Sequence, residues 1–123
     1  MKLVKDMMTS QVISVRPNDL IGDVRGTFLS TGVHCLPVLD DNACAVGVVS
    51  SWDLVEEYQP QESVSNAMTD HVFTIGPSAS VNEAAETMRD NFVHHLIVVD
   101  PEQTVIGILS SFDLLELLAK GEL

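Results

Sequence analysis

Gly47-Val48-Val49-Ser50-Ser51-Trp52-Asp53-Leu54 recurs later in the chain as Gly107-Ile108-Leu109-Ser110-Ser111-Phe112-Asp113-Leu114. The two stretches lie 60 residues apart, and the same offset aligns the chain with itself, without a gap, from Met8 through Glu56. Two copies are too few for a solenoid, which generally needs three or more stacked units to close a continuous core. The repeat therefore predicts a closed, pseudo-two-fold pair, with repeat one at 1–60 and repeat two at 61–123.

Each repeat predicts the order strand, helix, strand, strand, helix. β-Branched runs at 12–15 and 72–75, closed by prolines, predict short first strands. Apolar residues at spacings of three and four predict an amphipathic helix; they are Ile21, Val24 and Phe28 in repeat one, and Val81, Ala84, Ala85, Met88 and Phe92 in repeat two. Nearly continuous apolar runs at 35–39 and 95–99 predict strands covered on both faces.

The third strands, 45–49 and 105–109, lead into helices that begin near Ser50 and Ser110. In repeat two, Ser80 and Glu83 have the spacing of a capping box before the first helix, whereas repeat one requires a cap from Asn18 or Asp19. We therefore expect an α/β fold of two βαββα units, with the sheets packed together and the helices outside.

Composition restricts the function. The chain has 18 acidic against 6 basic residues, a formal charge of −12, which repels a nucleic-acid backbone. No apolar run approaches the roughly 20 residues of a membrane span, and residues 1–6 lack the apolar stretch of a signal peptide, so we expect no membrane contact and a cytoplasmic location. Cys35 and Cys44 do not align with each other, and free thiols are expected rather than a disulfide.

The repeated motif, Gly-x-x-Ser-x-x-Asp at the junction of a strand and a helix, indicates nucleoside chemistry. Free amides at a helix start favour an anion, and a nearby carboxylate suits the paired hydroxyls of a ribose. The alternative interpretation is purely structural, because Ser50 and Asp53 also have the spacing of a helix cap worth about 1 kcal/mol.

Catalysis and metal binding have little support in the sequence. No nucleophile elbow, phosphate-binding Walker loop, zinc-protease helix or Cys-His signature is present, so we expect no enzymatic activity and no required cofactor. His34, His94 and His95 lack the paired spacing of strong zinc sites. A polar strand edge or a phosphate contact is the expected role of these histidines.

The chain resembles the CBS domain family, whose tandem pair is called a Bateman module. The resemblance rests on Met-Thr before each first strand, the proline turn, Leu36-Pro37-Val38-Leu39-Asp40, and the Gly-h-h-Ser-x-x-Asp-Leu motif (h, apolar) in both repeats. It implies a cleft between paired sheets that binds AMP, ADP, ATP or S-adenosylmethionine. It also implies roles: Asp53 and Asp113 at the ribose hydroxyls, Ser50 and Ser110 at the ribose or phosphate, and Ser14 and Thr74 near the base.

The chain departs from the family pattern at the phosphate positions. Members often carry Arg or Lys just before Leu-Pro-Val, where this chain has Cys35 and His95. Arg16 is the best-placed base in repeat one, and its counterpart is Gly76. The two sites are therefore not expected to be equivalent.

The last helix predicts an assembly. Apolar residues cover more of it than the roughly 100° stripe that one core contact requires; they are Phe112, Leu114, Leu115, Leu117 and Leu118. We expect a homodimer, as the resemblance also implies, and an effector protein of unknown identity that receives the signal. The alternative is an interaction or oligomerisation module that binds no ligand.

Overall fold

The computed structural model describes residues 2–55 and 58–122 and divides the chain into two compact units. The middle unit comprises residues 13–72, and the terminal unit combines residues 1–12 with 73–123. The two units therefore do not coincide with the sequence repeats, 1–60 and 61–123. Each unit takes the short leading segment of the other repeat.

The middle unit is built on an antiparallel hairpin. Strand β1 (Cys35–Leu39) pairs with β2 (Ala45–Ser50), with Cys35 opposite Ser50. Helix α2 (Ile21–Thr31) precedes the hairpin, and 3₁₀-helices follow at Ser51–Leu54 and Val64–Asn66. The core of this unit consists of Val15, Ile21, Val24, Phe28, Leu36, Val38, Val49, Leu54 and Val64.

The terminal unit has the same plan with a longer last helix. Its sheet has the order β3 (Thr74–Ile75), β4 (His95–Val99), β5 (Val105–Ser110), parallel between the first pair and antiparallel between the second. The helices are α1 (Val4–Met7), α3 (Val81–Asn91) and α4 (Ser111–Ala119). The core consists of Val4, Ile75, Ala84, Met88, Leu96, Val98 and Leu109.

The α/β class and the predicted second and third strands are confirmed, but the first strands are shorter than predicted. Thr74 and Ile75 form β3, whereas in repeat one only an isolated bridge joins Val15 to Val38. The Ile97 amide donates to the Phe73 carbonyl at 3.0 Å. The aligned residue Pro37 has no amide hydrogen, so the equivalent bond cannot form.

The start of α2 also differs from the prediction. Its N-cap is Leu20, without a side-chain hydrogen bond, rather than Asn18 or Asp19. The first amides of the helix donate instead to backbone carbonyls of the linker: Ile21 to Glu62 and Gly22 to Pro60, both at 2.9 Å. In α3 one half of the predicted capping box forms: the Ser80 hydroxyl accepts the Glu83 amide hydrogen at 3.1 Å.

In each unit, the segment that comes from the other repeat packs against the glycine of the motif. Thr69 and Val48 exchange two backbone hydrogen bonds of 2.8 and 2.9 Å, and Thr9 and Ile108 do the same at 2.9 and 3.0 Å. A Cβ atom on Gly47 would lie 2.6 Å from the Met68 sulfur, and one on Gly107 would lie 2.5 Å from the Met8 sulfur. The motif glycines therefore make room for these methionines within their own units.

Candidate functional site

The serine and aspartate of each motif form a reciprocal capping box. In the middle unit, the Asp53 amide donates to the Ser50 hydroxyl at 3.2 Å, and the Ser50 amide donates to Asp53 Oδ2 at 2.8 Å. In the terminal unit, the corresponding distances for Ser110 and Asp113 are 3.2 and 2.9 Å. A carboxylate offers about four lone-pair sites, so one accepted hydrogen bond orients it and leaves acceptor capacity. The cap and a ribose-binding role are therefore compatible.

The histidine before each hairpin lies directly beside the motif. The Ser51 amide donates to the His34 carbonyl at 2.9 Å, and the Ser111 amide donates to the His94 carbonyl at 2.8 Å. Both histidines are exposed. The structure thus places His34 beside the Ser50 motif and His94 beside the Ser110 motif. A ligand site built from these residues requires this proximity.

The next residue differs chemically between the units. Cys35 lies opposite Ser50, and His95 occupies the matching position opposite Ser110. Burial, and secondarily the negative charge of Asp53, raise the pKa of the Cys35 thiol to about 11. A neutral thiol therefore adjoins the first motif at neutral pH, whereas an imidazole adjoins the second.

The predicted base contacts, Ser14 and Thr74, are both exposed; Thr74 lies in β3, and Ser14 directly precedes the bridge residue Val15. Thr74 pairs with Ile97 on β4, two positions from His95. Ser14 precedes Val15, whose amide donates to the Pro37 carbonyl at 3.0 Å. Each therefore lies beside the strand that carries Cys35 or His95.

Arg16 lies away from the first motif of its own unit. Its guanidinium donates to the Asp40 carbonyl at 2.6 Å and to the Asp41 carboxylate at 2.8 Å. Asp40 follows the end of β1, whereas Ser50 pairs with the start of that strand, so about 16 Å of strand separates the two positions. The structure thus brings Arg16 to the hairpin turn rather than to Ser50.

The structure gives two arginines contacts that the spacing of the motif does not indicate. Arg25 of α2 donates to the carbonyls of Leu54 and Tyr58 at 3.3 and 3.2 Å, and so ties the 3₁₀-helix after the first motif to α2. Arg89, near the end of α3, lines a cavity of about 410 Å³ with Met88, Phe92, Val93, His94 and Ser111. The repeat alignment carried a signal for both, since their counterparts are the uncharged Ala85 and Leu29.

Phe92 departs from the apolar stripe predicted for this helix. It is 91% exposed and caps α3 in the left-handed region at φ 55°. Its counterpart, Gly32, adopts φ 74° at the end of α2. A bulky residue in this region is a genuine outlier, because its Cβ approaches the backbone closely.

The exposed apolar surface predicted for the last helix is confirmed. Phe112, Leu115 and Leu118 are 66%, 56% and 61% exposed, whereas Leu117 is buried. After the first motif, Trp52 is also highly exposed.

Within residues 2–55 and 58–122, no cluster of three or more histidine, cysteine or acidic side chains is arranged to hold a metal ion. No helix in the same part of the chain has both the length and the apolar character needed to cross a membrane. Cys35 and Cys44 are both free thiols.

Comparison with known proteins gives consistent matches. The family model for the CBS domain matches residues 4–60 and again residues 64–120. The CBS domain pair of protein MJ0100, solved with 5′-methylthioadenosine and S-adenosyl-L-methionine, superposes with a TM-score of 0.91 at 26% identity over 98% of both chains. CBSX2, solved with AMP, gives a TM-score of 0.88 at 26% identity over 100% of both chains.

Curated relatives are larger proteins. A homoserine O-acetyltransferase of Methanococcoides burtonii is 33% identical over 90% of this chain, and an inosine-5′-monophosphate dehydrogenase of Methanocaldococcus jannaschii is 29% identical over 94% of it. The chain spans 23% of the length of each of these two proteins.

Proposed function

Because the chain belongs to the CBS domain family as a tandem pair, we propose that it is a regulatory module that binds an adenosine-containing ligand and catalyses no reaction. Candidate ligands are AMP, ADP, ATP and S-adenosylmethionine. The observation that carries the proposal is the capping box: Ser110 fixes the Asp113 carboxylate beside His94 and Ser111. Relatives solved with AMP and with S-adenosyl-L-methionine support the ligand class.

In this proposal, each motif aspartate accepts hydrogen bonds from the two ribose hydroxyls. Asp53 and Asp113 are already oriented through Oδ2, so ligand binding need not order them. Ser50 and Ser110 contact the ribose or phosphate, and Ser14 and Thr74 lie near the base. His34, His94 and His95 supply further polar contacts.

The decisive experiment is titration calorimetry with adenosine, AMP, ATP and S-adenosylmethionine on the wild type and on Asp113→Ala. Loss of charge-assisted hydrogen bonds of about 1.5–3 kcal/mol should weaken binding about tenfold or more. Asp113→Asn is the informative second variant, because its amide oxygen still accepts the Ser110 amide hydrogen. Ser80→Ala is the control, since it removes a helix cap outside the motif and should lower only the melting temperature.

If Asp113→Ala lowers the melting temperature and leaves the ligand affinity unchanged, the motif acts only as a helix cap. If none of these ligands binds the wild type, the alternative is favoured, in which the chain is an interaction or oligomerisation module that binds no ligand.

We also propose that the chain forms a homodimer through the exposed face of α4 and signals to an effector protein. Contiguous exposed apolar surface usually marks an interface, and closed two-fold dimers are the commonest assembly. Light scattering should give about twice the 13.4 kDa chain mass for the wild type, and less for Leu118→Glu. Asn82→Glu, an exposed change of equal charge on α3, should remain dimeric. A wild-type monomer at tens of micromolar protein would disprove the dimer.

A further inference from the structure

We propose that the two motifs select ligands of different charge: the terminal unit takes a phosphorylated adenosine ligand, and the middle unit takes an uncharged or cationic one. This division rests on the proposed function. It follows from two repeat positions, Arg89 against Leu29 and His95 against Cys35.

A cavity of the terminal unit lies beside the second motif, and one cationic residue lines it. Its surface is mostly apolar; Arg89, His94 and Ser111 are the polar residues among those that line it, and no acid is among them. Its volume of about 410 Å³ is within the usual size of small-molecule pockets. Because His94 and Ser111 adjoin the second motif through the 2.8 Å backbone hydrogen bond, a ribose held by Asp113 would place its 5′ substituent near this cavity.

Arg89 has donors to offer a phosphate. Its Nε donates to the Asp90 carboxylate at 2.9 Å, and both side chains are largely exposed. A guanidinium carries five N–H donors, and its paired donors match phosphate oxygens. Asp90 and Glu86 on the same helix offset the charge of Arg89, but neither is among the residues that line the cavity. The local donors therefore favour a phosphate there.

The middle unit offers a different environment beside its motif. The position of Arg89 is taken by Leu29, which is 88% exposed, and the position of His95 is taken by Cys35. The Cys35 thiol, whose pKa burial raises to about 11, is neutral at physiological pH, and Asp53 adds a negative charge nearby. Arg25 donates to carbonyls at the opposite end of the 3₁₀-helix from Ser50. A negative carboxylate beside a neutral thiol disfavours a phosphate and tolerates a neutral or positive ligand.

The test is titration calorimetry with AMP and with adenosine at constant ionic strength. Arg89→Leu, which installs the residue of repeat one, should weaken AMP binding about tenfold and leave adenosine binding unchanged. Lys120→Leu is the matched control, because it removes one cation from the same unit at an exposed position away from the cavity. It should leave both affinities unchanged.

Site-specific variants assign each ligand. Asp113→Asn should weaken AMP binding, and Asp53→Asn should weaken adenosine binding while AMP binding persists. Unchanged AMP affinity in Arg89→Leu, or loss of AMP binding in Asp53→Asn rather than Asp113→Asn, would overturn the division while leaving the proposed function intact. If neither AMP nor adenosine binds the wild type but ATP or S-adenosylmethionine does, the division fails and the proposed function stands. If none of the four ligands binds, the proposed function fails as well.

Discussion

Replacing Gly47 with alanine should destabilise the middle unit, because the added methyl group has no room. The new Cβ would lie 2.6 Å from the Met68 sulfur and 2.9 Å from the Thr69 carbonyl oxygen. The methionine end can rotate away, but the carbonyl belongs to the backbone. It accepts the Val48 amide hydrogen at 2.9 Å, while the Thr69 amide donates back at 2.8 Å.

The magnitude follows from this pair of hydrogen bonds. Relieving the contact moves the 69 backbone by roughly half an ångström and strains both bonds, each worth about 0.5–1.5 kcal/mol net. Alanine recovers about 0.5–1 kcal/mol relative to glycine in a strand. We expect a net loss of about 1–2 kcal/mol in the free energy of unfolding. For a chain of this size, that lowers the melting temperature by about 3–8 °C.

Thermal unfolding followed by circular dichroism measures the effect. Gly26→Ala is the control with the opposite sign: Gly26 lies within α2 with open space around it, so alanine should stabilise by about 0.5–1 kcal/mol. An unchanged melting temperature together with reduced ligand affinity in Gly47→Ala would refute the structural role of this glycine.

A second comparison tests the geometry more closely. At Gly107 the nearest atoms are the sulfur and Cγ of Met8, and the Thr9 carbonyl is farther away at 3.2 Å. Met8→Ala should therefore rescue Gly107→Ala more fully than Met68→Ala rescues Gly47→Ala. Equal rescue in both units would contradict the assigned role of the Thr69 carbonyl.

Further predictions concern single residues. Phe92→Gly should raise the melting temperature, because it relieves a left-handed strain of about 1–3 kcal/mol at a side chain that is 91% exposed; a fall would show that the aromatic ring stabilises the fold. In a Cys44→Ser background, alkylation of Cys35 should be slow at pH 8, rise toward pH 11 and accelerate in Asp53→Asn, since burial and then Asp53 raise its pKa to about 11. A thiol that titrates near pH 9 would contradict this. Because the unfolded thiol ionises first, its ordinary pKa being 9.0, the contribution of Cys35 to stability should be lost between pH 9 and about 11.

Local patterns predicted most of the secondary structure. The apolar runs at Cys35–Leu39 and His95–Val99 are strands with those bounds, because a buried strand needs an uninterrupted apolar sequence. The Ser-x-x-Asp spacing gave a helix cap as the alternative interpretation of Ser50 and Asp53, and a capping box forms in both units, since each joins residues only three apart. Such features depend only on residues close in sequence, so they can be predicted without knowledge of the tertiary structure.

The site required more than spacing. The motif spacing predicts that Ser110 and Asp113 lie together, but it gives no indication that Arg89 lines a cavity with Ser111. The position of Arg16 before the proline turn makes it the best-placed base of repeat one, yet its guanidinium reaches a turn 24 and 25 residues further along the chain. Periodicity likewise placed Phe92 in the helix stripe, although the helix ends there in a left-handed residue.

The sequence by itself determined the repeat, its second and third strands, the helix before each hairpin, and the capping chemistry of each motif. Only the tertiary structure decided which segments share a core. The segments around Thr9 and Thr69 pair with strands of the other repeat, and linker carbonyls cap α2. The physical reason is that distant segments pair through backbone carbonyls, which every residue carries, and amides, which every residue except proline carries. The side-chain pattern therefore does not indicate which segments will pair.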